Sequence, residues 1–102
     1  MLDLSKKRER KPQISKPAPA AIQAKFQQGL VLHQQGRLVE AERFYEEVLR
    51  YKPTHFDTLH LLGLVALQSR RTQRGVELIA KAIELNPNIA AAHCNLGYAL
   101  AP

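Results

Sequence analysis

Glycine and proline recur in this chain with a period of 34 residues. Gly29, Gly63 and Gly97 are each 34 positions apart, and Pro53 and Pro87 have the same spacing. Leucine directly precedes the second and third of these glycines. A glycine within a helix costs about 1 kcal/mol relative to alanine, so its return at a fixed spacing indicates a close contact between helices. The chain therefore contains an internal repeat.

Helix formers with an apolar period of 3.6 residues extend from Ala21 to the end of the chain. Glycine, proline and a pair of arginines interrupt this pattern at four points. The interruptions predict five helices, at residues 21–35, 38–51, 55–69, 72–85 and 89–101. Thr54 and Asn88 are the expected N-caps of the third and fifth helices. The helices group into repeats at residues 22–55 and 56–89 and a partial repeat at 90–102.

Residues 1–20 differ in composition from the remainder of the chain. They hold six basic and two acidic side chains but only three leucines or isoleucines, too few to offset the entropy lost on ordering. We therefore expect a disordered basic tail at residues 1–20 and a helical domain at 21–102. The basic run lacks interleaved aromatic residues for base stacking, so a nucleic-acid partner is not favoured.

The expected cellular location of the chain follows from three features that the sequence lacks. Cys94 is the only cysteine, so no internal disulfide can form and nothing indicates an oxidising environment. The N-terminus has no apolar core of a signal peptide. The longest apolar run, residues 61–67, is far shorter than the roughly 20 residues that cross a bilayer. We expect a cytoplasmic chain without a membrane span.

The 34-residue pattern resembles the tetratricopeptide repeat (TPR) family. Residues 22–55 carry the small, turn and apolar positions of that motif at Gly29, Leu32, Gly36, Ala41, Tyr45, Val48, Leu49 and Pro53. Residues 56–89 carry them at Leu59, Leu62, Gly63, Ala66, Ile79, Ala82, Ile83 and Pro87. Arg70 stands where the turn glycine is expected, and Gly75 where alanine is usual. The resemblance implies an all-α fold, in which antiparallel helix pairs stack as a right-handed α-solenoid and bind proteins.

Residues 85–100 are similar to repeats in the long superhelices of O-linked N-acetylglucosamine transferases and related glycosyltransferases. In those arrays an asparagine just before the Leu-Gly position forms a ladder that holds peptide backbone. Asn95 matches that position, which implies the same role here. Gln27 and Leu61 stand at the equivalent positions of the first two repeats.

The first helix of each pair lines the concave face of such a stack, and its inward stripe predicts a mostly apolar groove for a peptide or partner helix. The candidate groove residues are Phe26, Gln27, Leu30, His33, His60, Leu61, Leu64, Cys94, Asn95 and Tyr98. An alternative stays open, in which Phe26, Leu30, Leu61 and Leu64 only pack between repeats.

Catalytic, metal and cofactor sites are not expected. His93 and Cys94 point about 100° apart on one helix, so they cannot form a nucleophile and base pair. His60 and Cys94 fall short of the usual four convergent zinc ligands. The acidic run on the second helix is expected to be a solvated face with pairs such as Glu46 to Arg50. The basic cluster around Arg71 is also expected to be solvated.

The sequence therefore predicts a non-enzymatic protein-interaction scaffold, and we expect it to be the N-terminal part of a longer protein. Two alternatives remain. The chain could recruit substrates for a glycosyltransferase or sulfotransferase whose catalytic domain follows residue 102. It could instead be a self-assembly module, forming a homodimer through Leu96 and Leu100 on the fifth helix.

Overall fold

The computed structural model describes the backbone of residues 18–100 and the side chains of residues 18–97. Five helices follow one another through short turns: α1 (Pro19–Gln34), α2 (Leu38–Tyr51), α3 (Phe56–Gln68), α4 (Thr72–Leu85) and α5 (Ala90–Leu100). All five predicted helices are confirmed, with ends shifted by two residues at most. The described residues contain no strand. The predicted disordered tail falls almost entirely on residues 1–17, outside the described part.

The helices pack as two antiparallel pairs followed by a single helix. α1 packs against α2 and α3 against α4, while α2 contacts α3, α4 contacts α5, and α3 also touches α5. The first helices of successive repeats are therefore neighbours and share one face of the stack. This arrangement confirms the predicted all-α solenoid of TPR type.

The core forms where the first repeat meets α3. Its buried members come from three helices and are Ile22, Phe26, Ala41, Tyr45, Val48, Leu62 and Val65. Tyr45 is the largest completely buried side chain, and its ring lies 6.1 Å from that of Phe26, between centroids. Burying a large apolar side chain contributes about 1.5–3 kcal/mol, so this inter-repeat cluster provides much of the stabilisation of the first repeat.

Glycines allow the two helices of each pair to approach closely. A Cβ placed on Gly29 would lie 2.6 Å from the Tyr45 ring, and one on Gly63 would lie 2.5 Å from Ile79 Cγ1. In the second pair, a Cβ on Gly75 would also meet the Gly63 carbonyl oxygen at 3.0 Å. Glycine at position 75 therefore replaces the usual alanine because α3 and α4 are in backbone contact there.

The turns between the helices of each pair have one geometry despite different residues. Gly36 has φ of +78° and Arg70 has φ of +65°, both in the left-handed region. The following residues donate their N–H groups to equivalent carbonyls, Arg37 to Leu32 at 2.9 Å and Arg71 to Ala66 at 2.8 Å. Both turns are Schellman-type helix ends, so Arg70 adopts a conformation that glycine adopts without cost.

The helix caps differ from those predicted. His55, and not Thr54, caps α3, because its Nδ1 accepts hydrogen bonds from the Thr58 hydroxyl at 2.6 Å and the Thr58 N–H at 3.3 Å. Asn88 is not a cap, since its own N–H donates to Asn86 Oδ1 at 3.4 Å and α5 begins only at Ala90. Ring nitrogens can replace the usual cap oxygens, which residue preferences alone do not indicate.

The close helix contact predicts opposite effects of alanine at two equivalent glycines. Gly63→Ala should destabilise the fold, because overpacking against Ile79 costs about 1–3 kcal/mol and outweighs a propensity gain of about 1 kcal/mol. Gly97→Ala should be neutral or stabilising, since no described atom lies within 4 Å of its added Cβ. Urea unfolding of both variants measures the difference. Equal midpoints for the two would contradict the close-contact explanation.

The turn geometry predicts that Arg70→Gly stabilises the protein and Gly36→Ala destabilises it. A left-handed residue with a Cβ costs about 1–2 kcal/mol, and this cost exceeds the extra chain entropy of an added glycine, about 0.4–1 kcal/mol. Thermal unfolding followed by circular dichroism measures both changes. The control is Ser69→Gly, one residue before Arg70, because Ser69 has a negative φ. Arg71→Gly is unsuitable, since Arg71 forms an ion pair with Glu42. A stabilising Ser69→Gly would refute the argument.

Candidate functional site

The predicted groove residues divide into buried and accessible groups. Phe26 is only 8% exposed and its ring packs edge-on against that of His55, 5.2 Å away between centroids, so it belongs to the core. Leu30 and Leu61 are half-buried and pack against the same core cluster. Leu30 and Leu61 therefore pack against the core and keep part of their surface accessible on the concave face.

The remaining groove residues are accessible. His33, His60, Leu64 and Asn95 are half-buried, and two others, Gln27 and Cys94, are exposed. The side chain of Tyr98 lies outside the described residues. The concave face is therefore narrower and more polar than the apolar stripe in the sequence suggests.

His33 connects the buried core of the first repeat to the surface of the second. Its Nδ1 accepts a hydrogen bond from the Tyr45 hydroxyl at 3.2 Å, and its Nε2 donates to Gln68 Oε1 at 2.8 Å. Because Nε2 carries the proton of the neutral imidazole, Nδ1 has none and the Tyr45 hydroxyl is the donor. Burial also raises the pKa of Tyr45 to about 12. The imidazole is thereby held between a core tyrosine and a carboxamide on α3.

His60 makes an equivalent bridge between the second repeat and α5. Asn95 Nδ2 donates to His60 Nε2 at 2.8 Å. Desolvation by burial lowers the pKa of His60, an effect that the nearby Asp57 carboxylate opposes. A neutral imidazole that accepts at Nε2 agrees with this direction. Asn95, the residue matched to the asparagine ladder by resemblance, is thus directed by a histidine.

A surface cavity of about 310 Å³ lies between α3 and α5, lined by Leu64, Leu67, Gln68 and Asn95. We call these four residues the slot. Gln68 is a member that sequence reasoning missed, because it lies one position beyond the apolar stripe. The available signal was its place 35 residues after His33, the same separation as between His60 and Asn95.

The charged residues of α2 bridge two repeats, which corrects one expectation. Glu42 accepts two hydrogen bonds from Arg71, at 3.0 and 2.7 Å, and Glu46 pairs with Arg74 at 3.0 Å. The expected Glu46 to Arg50 pair is therefore wrong. Arg71 and Arg74 of the basic cluster remain 43% and 41% exposed, but each forms an ion pair, which was not expected. The hydrogen bond from Arg71 lowers the pKa of the Glu42 carboxyl, against desolvation that raises it.

The other chemistry-bearing residues do not converge. No group of three or more His, Cys, Asp or Glu within residues 18–97 is placed to hold a metal ion. His93 Nε2 contacts the Pro87 carbonyl oxygen at 2.6 Å, and Cys94 is exposed. None of the described helices is long and apolar enough to cross a membrane.

The predicted self-association surface is only partly described. Leu96 is half-buried on α5. The side chain of Leu100 lies outside the described residues, so dimerisation through this pair stays a prediction.

Comparison with known proteins identifies the family. Tetratricopeptide repeat models match residues 22–55 and residues 60–101, and together these matches cover most of the helical region. The chain belongs to the tetratricopeptide repeat family, whose repeats are a non-catalytic module type that generally binds proteins.

Similar proteins include two transferases and a MamA protein. A UDP-N-acetylglucosamine--peptide N-acetylglucosaminyltransferase of Caenorhabditis elegans is 36% identical over 64 residues, which is 63% of this chain and 6% of that protein. A mutant O-GlcNAc transferase structure from Thermobaculum terrenum has a TM-score of 0.78 at 29% identity, covering 85% of this chain and 17% of that one. A MamA RS-1 ArsTM double mutant has a TM-score of 0.75 at 27% identity, covering 79% and 46%. The chain thus spans less than half the length of each.

The ion pair of Glu42 predicts a pH-dependent contribution to stability. The pKa of a carboxyl lowered by folding gives stabilisation that is present above its ordinary value of 4.5 and is lost as pH falls through the folded value. Glu42→Gln should cost about 0.5–1 kcal/mol at pH 7 and much less at pH 3. Urea midpoints at both pH values measure this. Glu84→Gln, at an exposed position without an ion pair among the described residues, should show no such change. A Glu42→Gln deficit that persists at pH 3 contradicts the assignment.

Proposed function

We propose that the chain binds a peptide segment of a protein partner on the concave face formed by α1, α3 and α5. The observation that carries this proposal is the slot, a cavity of about 310 Å³ that combines leucine side chains with two carboxamides. Apolar surface with a few directed polar groups is typical of peptide-binding grooves. The partly buried Leu30 and Leu61 extend the same face toward α1.

Family membership supports this assignment in general terms. TPR repeats typically bind protein partners. The surface that carries Glu42 and Glu46 is a weaker candidate for peptide binding. The carboxylates of these two residues already form ion pairs with Arg71 and Arg74. The concave carboxamides instead retain hydrogen-bonding groups that no described residue uses.

A selection experiment tests the proposal. The full chain is immobilised and challenged with a displayed library of random dodecapeptides, and selected peptides are then measured by fluorescence polarisation. Leu64→Glu should weaken their binding by about tenfold or more, because an unpaired charge would be buried under the ligand. Val39→Glu, on α2 at a position 68% exposed, is the matched control and should leave binding unchanged.

Two results would refute the concave site. Either no peptide is selected that Leu64→Glu weakens, or Val39→Glu weakens binding as much as Leu64→Glu does. Circular dichroism of both variants verifies that they fold. The partner's identity does not enter the test, since the readout is the location of the binding surface.

A second candidate function rests on the similarity to transferases. The chain would then be a segment of a repeat array that recruits substrates for a glycosyltransferase, since two of the proteins similar to it are named as N-acetylglucosamine transferases. The same concave face would be used in both cases. The coding sequence downstream of residue 102 distinguishes them, because a catalytic domain there is required by the second candidate alone.

A further inference from the structure

Two histidines on the concave face each contact a carboxamide on the first helix of the next repeat. His33 pairs with Gln68, and His60 pairs with Asn95, at 2.8 Å in both cases. Each pair spans 35 residues, one more than the repeat period. His33 and His60 occupy different positions within their repeats, but the separation along the chain is the same in both pairs.

The hydrogen bonds leave complementary groups on the two carboxamides. Gln68 accepts through Oε1, so its NH2 group is directed away from His33 and offers two donors. Asn95 donates one N–H to His60, so its Oδ1 remains as an acceptor together with one further N–H. Among the described residues neither carboxamide has another hydrogen-bond partner. A peptide group, with one C=O and one N–H, has the matching functions.

The slot has no charged residue in its lining. Its lining consists of Leu64, Leu67 and the two carboxamides, without a charged side chain. Its volume is about 310 Å³, at the lower end of the volumes of small-molecule pockets. An acidic or basic side chain would lose hydration there without a countercharge.

We infer that His33 and His60 are positioning residues that direct the Gln68 and Asn95 carboxamides, so that the slot selects an aliphatic side chain on an extended, uncharged peptide segment. This inference rests on the proposed peptide-binding function and adds the chemistry of the ligand. The histidines act through the carboxamides and need not touch the ligand.

Protonation of His60 would change the hydrogen bond that it forms with Asn95. A protonated His60 carries N–H on both ring nitrogens, so Asn95 has to turn its oxygen toward Nε2 and loses the acceptor that faces the slot. Asp57 on α3 is the charged neighbour of His60 among the described residues, and α5 contributes Asn95 itself, with the thiol of exposed Cys94 next to it.

The first experiment needs no ligand. NMR of the free full chain follows the side-chain amide protons of Asn95 and Gln68 from pH 7.5 to pH 5. The Asn95 signals should shift with the titration of His60 and stop doing so in His60→Gln, which keeps an acceptor that does not titrate. His93→Gln, an exposed histidine outside both pairs, is the control and should not alter them. Asn95 signals that do not follow His60 would overturn the inference.

The second experiment uses the dodecapeptides selected above, with each position replaced in turn by Leu, Glu or Lys. One position should require an aliphatic residue, with about a tenfold loss of affinity on Glu or Lys. Binding should weaken several-fold between pH 7.5 and pH 5 in the wild type and in His93→Gln, but not in His60→Gln. His60→Phe should weaken binding at both pH values.

The outcomes distinguish the inference from the proposed function. If peptides bind and Leu64→Glu weakens them, but charged residues are tolerated at every position, the inference is wrong and the concave site stands. If binding is unaffected by Leu64→Glu, the proposed function is wrong. A pH dependence that persists in His60→Gln also overturns the inference.

Discussion

Tyr45 is completely buried because Gly29 has no Cβ at the point where α1 crosses the aromatic ring. The corresponding contact in the second repeat, between Gly63 and Ile79, has the same offset along the chain. A larger residue at either glycine would separate the paired helices, and the inter-repeat cluster around Phe26 would then lose its close packing. The spacing between first and second helices therefore determines where every other contact can form.

The polar groups of the concave face follow from that packing. A buried hydroxyl requires a hydrogen-bond partner, and Tyr45 finds one in His33 at 3.2 Å. The second nitrogen of His33 then reaches Gln68, and the Gln68 amide group is left directed away from the ring. A glycine needed for packing is in this way connected, through two hydrogen bonds, to a group that lines the slot. The hydrogen bonds of His33 thus connect the buried Tyr45 to the surface residue Gln68.

The helices and their pairing could be predicted from the sequence because glycine and proline recur with the repeat period. The left-handed turn at Arg70 and the cap at His55 could not, since neither residue is the type preferred at its position. The same limit applies to the site. The apolar stripe identified Leu64 and Asn95, but the role of Gln68 depends on its contact with His33, 35 residues earlier, which is not visible in a single helix.

Continuity of the stack and binding on its concave face are thermodynamically linked. In a repeat protein each unit contacts only its neighbours, so stability is close to a sum of local terms. The slot is formed by α3 and α5, and among the described side chains His60 and Asn95 form a direct hydrogen bond between these helices. A ligand that binds only the assembled pair stabilises it by about 2.7 kcal/mol at a concentration 100 times Kd. Because this free energy acts on the α3 to α5 contact, a bound peptide would strengthen the junction between repeats more than the repeats themselves.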